Sequence, residues 1–252
     1  MARPAWIAVA LLALLLGGPL SAAGEVRVAV ASNFAAVLAE LSAEFESASG
    51  HRVLAIPGST GKLYAQITNG APFEVFLAAD AVRPRLLEEN RSAVAGTRFT
   101  YAFGRLALWS ARSELEVGDG AILKSKNYRH LAIANPRTAP YGAAARQVLD
   151  RMELWQDTER RLVFGESVGQ TFQFVSTGNA ELGFVALSQI LRPGFEASGS
   201  HWIVPSELHQ PIDQQAVLLS AGRENPAAVE FVTFLRSPAA RETIERFGYG
   251  VE

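Results

Sequence analysis

Residues Ile56–Leu63, IPGSTGKL, run from an apolar strand end, through two hydroxyls held between glycines, to a lysine. A strand that ends in a small, hydroxyl-bearing turn and continues into a helix is the repeating unit of a mainly parallel sheet flanked by helices. The same stretch excludes a nucleotide loop. The motif G-x-x-x-x-G-K-[ST] needs a longer loop to wrap a polyphosphate and a final hydroxyl for Mg²⁺. Here Ser59 and Thr60 alone separate Gly58 from Gly61, and Leu63 stands where that hydroxyl should be. The turn is too short for ATP but suits a smaller anion.

The unit recurs along the chain. Val26–Ala31 (VRVAVA) reads as a strand, Ser32-Asn33 as its turn, and Phe34, Val37, Leu38, Leu41 and Phe45 as the apolar face of a helix that Gly50 ends. Phe73–Ala78 (FEVFLA) is a third strand, followed by Asp80 and a short helix near Pro84. Tyr101–Ser110 reads as one extended run, and the pattern then restarts. His130–Ala134 leads into Asn135–Gly142 and a helix, and Arg161–Phe164 leads into Gly165–Gln170 and another. Leu182–Leu187 and Gln215–Ser220 are later strands, and Pro226 is placed to open the last expected helix.

Two α/β sheets in succession imply two lobes with a ligand cleft between them, because ligands in open α/β sheets collect beyond the carboxyl ends of the strands. The expected division is residues 24–101 plus 213–252 for one lobe and 102–212 for the other, with hinge crossings near Tyr101 and Gln210–Gln214. Each hydroxyl-rich turn, taken singly, reads as ordinary N-capping. Four turns aimed at one cleft read as a site, since unpaired helix N-terminal N–H groups hold anions without a charged side chain.

The N-terminus places the chain in the export pathway. Arg3, the apolar run Ala5–Leu16, the break at Gly17-Gly18-Pro19 and the small residues Ser21-Ala22-Ala23 form a cleavable leader over residues 1–23. Its apolar run is well short of the roughly 20 residues that a spanning helix needs. The expected product is an exported, periplasmic protein with a net charge of −3 once Arg3 is removed. Basic residues are scattered, which argues against a nucleic-acid surface. The chain has no cysteine, so thiolate metal sites, disulfides and cysteine nucleophiles are excluded.

Nothing reads as an enzyme. No histidine spacing resembles a metal motif, and Gly58-Ser59-Thr60-Gly61 is not a nucleophile elbow. Lys62 reads as a solvated residue of a first helical turn. Tyr141, between Pro140 and Gly142, has two open readings: a hydroxyl offered to a ligand, or packing against the hinge.

These motifs together resemble the periplasmic molybdate- and tungstate-binding proteins that feed ABC importers. The likeness runs from Val26 to about Tyr249 and rests on Val30–Phe34, Gly58–Gly61 with Tyr64–Ile67, and Asn69–Pro72 leading to Phe76–Asp80. Ala134–Pro136, Ala139–Gly142, Ser167–Gln170 and Gly178–Val185 extend it. The resemblance implies a two-lobed venus-flytrap fold that closes on a dehydrated tetrahedral oxyanion, with no cofactor and no bare metal cation. It implies hydroxyl donors from Ser32 and from Thr60 or Ser59, and main-chain N–H donors from the Asn33 turn, Tyr141 and Val168. Many members carry a ligand tyrosine where this chain has Ala186, and the Tyr141 hydroxyl is the expected replacement. The implied partner is a membrane permease, with the binding protein acting as a monomer. Another anion, such as sulfate, thiosulfate or a small organic acid, is the alternative ligand, and Arg137 is the candidate clamp for a carboxylate.

Overall fold

The structure is a computed structural model that describes residues 23–195 and 197–251; residues 1–22 of the expected leader lie outside the described residues. Two five-stranded sheets form the two lobes. The first contains β1 (Glu25–Ala31), β2 (Arg52–Gly58), β3 (Val75–Ala78), β4 (Phe99–Gly104) and β10 (Ile212–Leu218), in the order β2-β1-β3-β10-β4. The second contains β5 (Leu106–Ser110), β6 (Leu131–Ala134), β7 (Leu162–Gly165), β8 (Leu182–Ala186) and β9 (Ser200–Ile203), in the order β7-β6-β8-β5-β9.

The sheets are mixed rather than mainly parallel. In each, three strands pair in parallel, while the strand arriving from the other lobe, β10 or β5, pairs antiparallel with both neighbours. The physical reason is the double crossing: a strand that enters a sheet directly from the opposite lobe runs against the strands built by helical crossovers. The run expected as a single strand breaks at Arg105 into β4 and β5, which belong to different sheets. The first crossing therefore falls at Gly104–Leu106, beyond Tyr101, and the return runs through 204–211 into β10. Strand β9 and a helix at Pro238–Arg246 are elements that the sequence pattern did not reveal.

Helices cover both faces of each sheet. In the first lobe, α1 (Ala35–Ser49) shares a core with the late helices described below, through Val26, Val28 and Val30 of β1. Ala29 faces the other way, against Leu63 of α2 (Thr60–Thr68) and Leu87 of α3 (Val82–Glu89). This alternation is the period-2 geometry of a strand buried on both sides. Helix α1 ends where Gly50 adopts φ 76° and its N–H caps the Glu46 carbonyl.

In the second lobe, α4 (Ile122–Ser125) is a short turn, while α5 (Pro140–Arg151) packs its Ala145, Val148 and Leu149 with Leu131 and Ile133 of β6. Beyond α6 (Trp155–Thr158), α7 (Val168–Ser176) covers the opposite face, with Val175 against Ala132 and Val185. Helix α8 (Leu187–Leu191) follows β8 directly, and α9 (Pro226–Phe234) and α10 (Pro238–Arg246) return to the first lobe. Asn225 caps α9 through its side chain, one residue before Pro226.

One close approach fixes the start of α5. A Cβ on Gly142 would collide with the Ala134 carbonyl at the end of β6, so glycine is what lets the helix begin directly against the strand. Gly142→Ala is expected to cost about 1–3 kcal/mol. That corresponds to a fall of roughly 2–10 °C in melting temperature for a chain of this size. Calorimetric melting of the ligand-free protein checks it; an unchanged melting temperature would refute the close-contact argument.

Candidate functional site

Four strand ends meet between the lobes. β1 leads into the 3₁₀ turn Ser32–Phe34 and α1, β2 into α2, β6 through its loop into α5, and β7 into α7. The first N–H groups of each helix have no intrahelical partner and carry partial positive charge. A small cavity lies among these starts, lined by Ala31, Ser32, Asn33, Gly58, Ser59, Thr60, Ala79, Ala139, Pro140, Tyr141 and Val168. All six expected site residues line it, and no charged side chain does.

Their hydrogen bonds distinguish their roles. Ser59 is buried, sits as the N-cap of α2, and makes no capping bond; its Oγ has no partner. Such an unpartnered buried hydroxyl has a desolvation cost of about 1–3 kcal/mol unless something occupies the cavity. The other partnerless buried hydroxyls among the described residues, Ser42 and Thr138, do not line this space. Thr60 Oγ1 accepts the Ala79 N–H at 3.1 Å and keeps its own proton to donate. Ser32 Oγ accepts the N–H of Gly169, from the opposite lobe, at 3.0 Å and likewise keeps its proton.

Asn33 contributes backbone to the cavity, while its side chain turns away. Its Nδ2 donates to Gln214 Oε1 at 2.8 Å and to Tyr249 Oη at 2.9 Å. The Tyr141 hydroxyl turns the same way. It lies 3.4 Å from Gln214 Nε2, and a Cβ on Gly104 would collide with it. Tyr141 thus lines the cavity and also places its hydroxyl beside the first crossing, where it accepts from Gln214 and keeps its own proton. Ala186 does not line the cavity, and its N–H donates to Gln189 Oε1 at 3.0 Å.

The lobes are closed. Besides Ser32–Gly169, Gly61 N–H donates to the Thr138 carbonyl at 2.8 Å across the cleft, an approach that a Cβ at Gly61 would obstruct. Lys62 pairs with Glu166 of the other lobe, both exposed, so it faces neither the cavity nor open solvent alone. An exposed pair of this kind contributes about 0–1 kcal/mol. Arg137 lines a wider open groove beside the cavity, together with Asp80, Arg83 and Asp213. Among the described residues no cluster of His, Cys, Asp and Glu could hold a metal ion, and no helix is long and apolar enough to cross a membrane.

Behind the cavity, sequence reading missed a buried polar cluster. Tyr101, Tyr141, Tyr249, Asn33, Gln214 and Ser188 are all buried and joined by hydrogen bonds. The only sequence signal was a tyrosine between Gly248 and Gly250, far from every turn considered.

Two lobes closed over a small, charge-free cavity at four helix starts are the architecture of a periplasmic solute-binding protein. Residues 26–250 match the family model of the bacterial extracellular solute-binding proteins, and the chain belongs to that family. It is 53% identical over 230 residues to the molybdate-binding protein ModA of Azotobacter vinelandii, covering 91% of each chain. It is 47% identical over 242 residues to the molybdate-binding protein ModA of Rhodobacter capsulatus, covering 96% of this chain and 94% of that one. The solved periplasmic molybdate-binding protein of Azotobacter vinelandii superposes with a TM-score of 0.87 at 41% identity, over 90% of this chain and 99% of that chain.

Burial pushes the Tyr249 hydroxyl up to about 12 and raises those of Tyr101 and Tyr141 well above the ordinary phenol value near 10. All three therefore stay protonated near neutrality and can donate. In the unfolded chain they ionise near pH 10, so the stability they hold is intact below pH 10 and is lost as pH rises toward 12. Tyr249 alone should contribute a loss of about 3 kcal/mol across that window. Denaturant titrations from pH 9 to 12 check this, and Tyr249→Phe should flatten part of the slope.

Proposed function

We propose that the protein binds molybdate, or tungstate, in the periplasm as a monomer and delivers it to the membrane permease of an ABC importer. The observation that carries this reading is the Ser59 hydroxyl, buried without a partner beside a charge-free cavity at four helix starts. Ser32 and Thr60 supply further protons, and the Asn33 turn, Tyr141 and Val168 supply main-chain N–H groups. Identity of about half the chain to two molybdate-binding proteins supports the choice of anion.

Neutral donors suit this ligand. A dianion in a closed cleft must recover its lost hydration, and several oriented N–H and O–H groups do so without a counter-charge. Sulfate has the same charge, so discrimination must rest on size. The longer metal–oxygen bonds of molybdate reach donors on both lobes, whereas sulfate leaves some unpaired at about 1–3 kcal/mol each. Monohydrogen phosphate brings a proton that needs an acceptor, and this cavity presents chiefly donors. A carboxylate ligand would call for a guanidinium clamp, but Arg137 lines the groove outside the cavity.

Calorimetric titration of the ligand-stripped mature protein with molybdate should give one tight site that persists in excess sulfate. Ser59→Ala and Ser32→Ala should each weaken it by about tenfold or more, the worth of a hydrogen bond to a charged group. Binding abolished by sulfate would overturn the choice of anion. Unchanged affinity in both variants would overturn the assignment of donors.

A further inference from the structure

The C-terminal turn of the described residues reaches back to the site. Gly250 pairs with Phe103 of β4, N–H to carbonyl in both directions at 2.7 and 3.2 Å, which fixes the tail on the strand that leads into the first crossing. Tyr249 projects from this anchor, and its ring packs edge-on to Phe34 with centroids 5.5 Å apart. Its hydroxyl donates to the Asn33 carbonyl at 3.0 Å and accepts from Asn33 Nδ2 at 2.9 Å. It also accepts from Ser188 Oγ at 2.8 Å. Asn33 belongs to the cavity turn of the first lobe, and Ser188 to α8 of the second. Gln214 extends the link, binding Asn33 on one side and approaching Tyr141 of the second lobe on the other.

We propose that Tyr249 is a positioning residue for anion binding: its hydroxyl ties the Asn33 turn to Ser188 of the opposite lobe and so sets how firmly the cleft stays shut. It does not line the cavity, so it acts without touching the ligand. The Tyr249–Ser188 bond spans the first crossing: Gly250 pairs with Phe103 just before it, and Leu187, beside Ser188, donates to the Arg105 carbonyl within it, so a change in the angle between the lobes strains this bond. The bidentate grip on Asn33 holds the backbone of the anion turn. A ligand that needs both lobes gains affinity in proportion to the closed population.

This inference rests on the reading of the cleft as a molybdate site, and its test separates the two. Tyr249→Phe keeps the ring and removes the hydroxyl; Ser188→Ala removes its partner across the cleft. In stopped-flow and calorimetric titrations with molybdate, each should raise the dissociation rate and weaken affinity by roughly tenfold, with the association rate unchanged. The double variant should lose little more than Tyr249→Phe alone, because the two hydroxyls act through one bond. Losses that simply add, or affinities that hold while the melting temperature falls equally with and without molybdate, would reduce the cluster to packing and overturn the proposal. If the wild-type protein does not bind molybdate, the ligand reading fails by itself. The network is then judged by small-angle scattering of the ligand-free proteins: a larger radius of gyration for both variants supports it, and radii equal to wild type overturn it.

Discussion

The starts of α1, α2, α5 and α7, each carrying partial positive charge, meet around one small space, and no lysine, arginine or histidine lines it. Holding an anion this way demands positional accuracy, because each dipole is weak and useful only within hydrogen-bond reach. The rest of the structure supplies that accuracy. Each helix is aimed by the strand before it, each strand is held on both faces by a packed core, and the two sheets are linked by two crossings that allow them to meet. A charged side chain would tolerate a looser scaffold but would not distinguish one dianion from another by size.

Glycine and alanine carry much of the geometry. Gly142 lets α5 start against the end of β6, Gly61 lets the two lobes share a main-chain hydrogen bond, and Ala31, Ala79 and Ala139 keep side chains out of the cavity. These residues contribute no chemistry of their own. They bring the helix starts close around the cavity, in turns where a larger residue would hold the walls apart.

The closed cleft has two kinds of inter-lobe contact. At the rim, Lys62 and Glu166 are exposed and their pairing is screened by solvent. Inside, Ser32–Gly169 and Gly61–Thr138 are part-buried and the Tyr249 cluster is buried. A closed state made of short, buried contacts is a distinct state with few intermediates. For a carrier that must hold its ligand and then surrender it, this makes release a question of opening.

Much of this was legible in the sequence because it is local. Strand, small turn and capped helix lie within a dozen residues of one another, so VRVAVASNF and IPGSTGKL each announce a strand end and a helix start. The six cavity residues lie on four such turns; small and hydroxyl residues marked the turns, and the resemblance to the family marked the individual residues. What the sequence could not supply depends on partners distant along the chain. The direction of β10 and β5 follows from which lobe the chain is leaving, and Gly104-Arg105 within Tyr101–Ser110 does not by itself show that the two halves of the run join different sheets. Tyr141 had two readings of equal standing, and only the fold brings Gln214, 73 residues away, to within 3.4 Å of its hydroxyl. Tyr249 sits 216 residues from Asn33, and no spacing rule reaches that far. The sequence by itself determined which turns offer donors, because capping chemistry is written in adjacent residues. Only the tertiary structure decided which hydroxyls face the cavity and which bind the lobes together, because that choice is made by packing between segments that the chain brings together last.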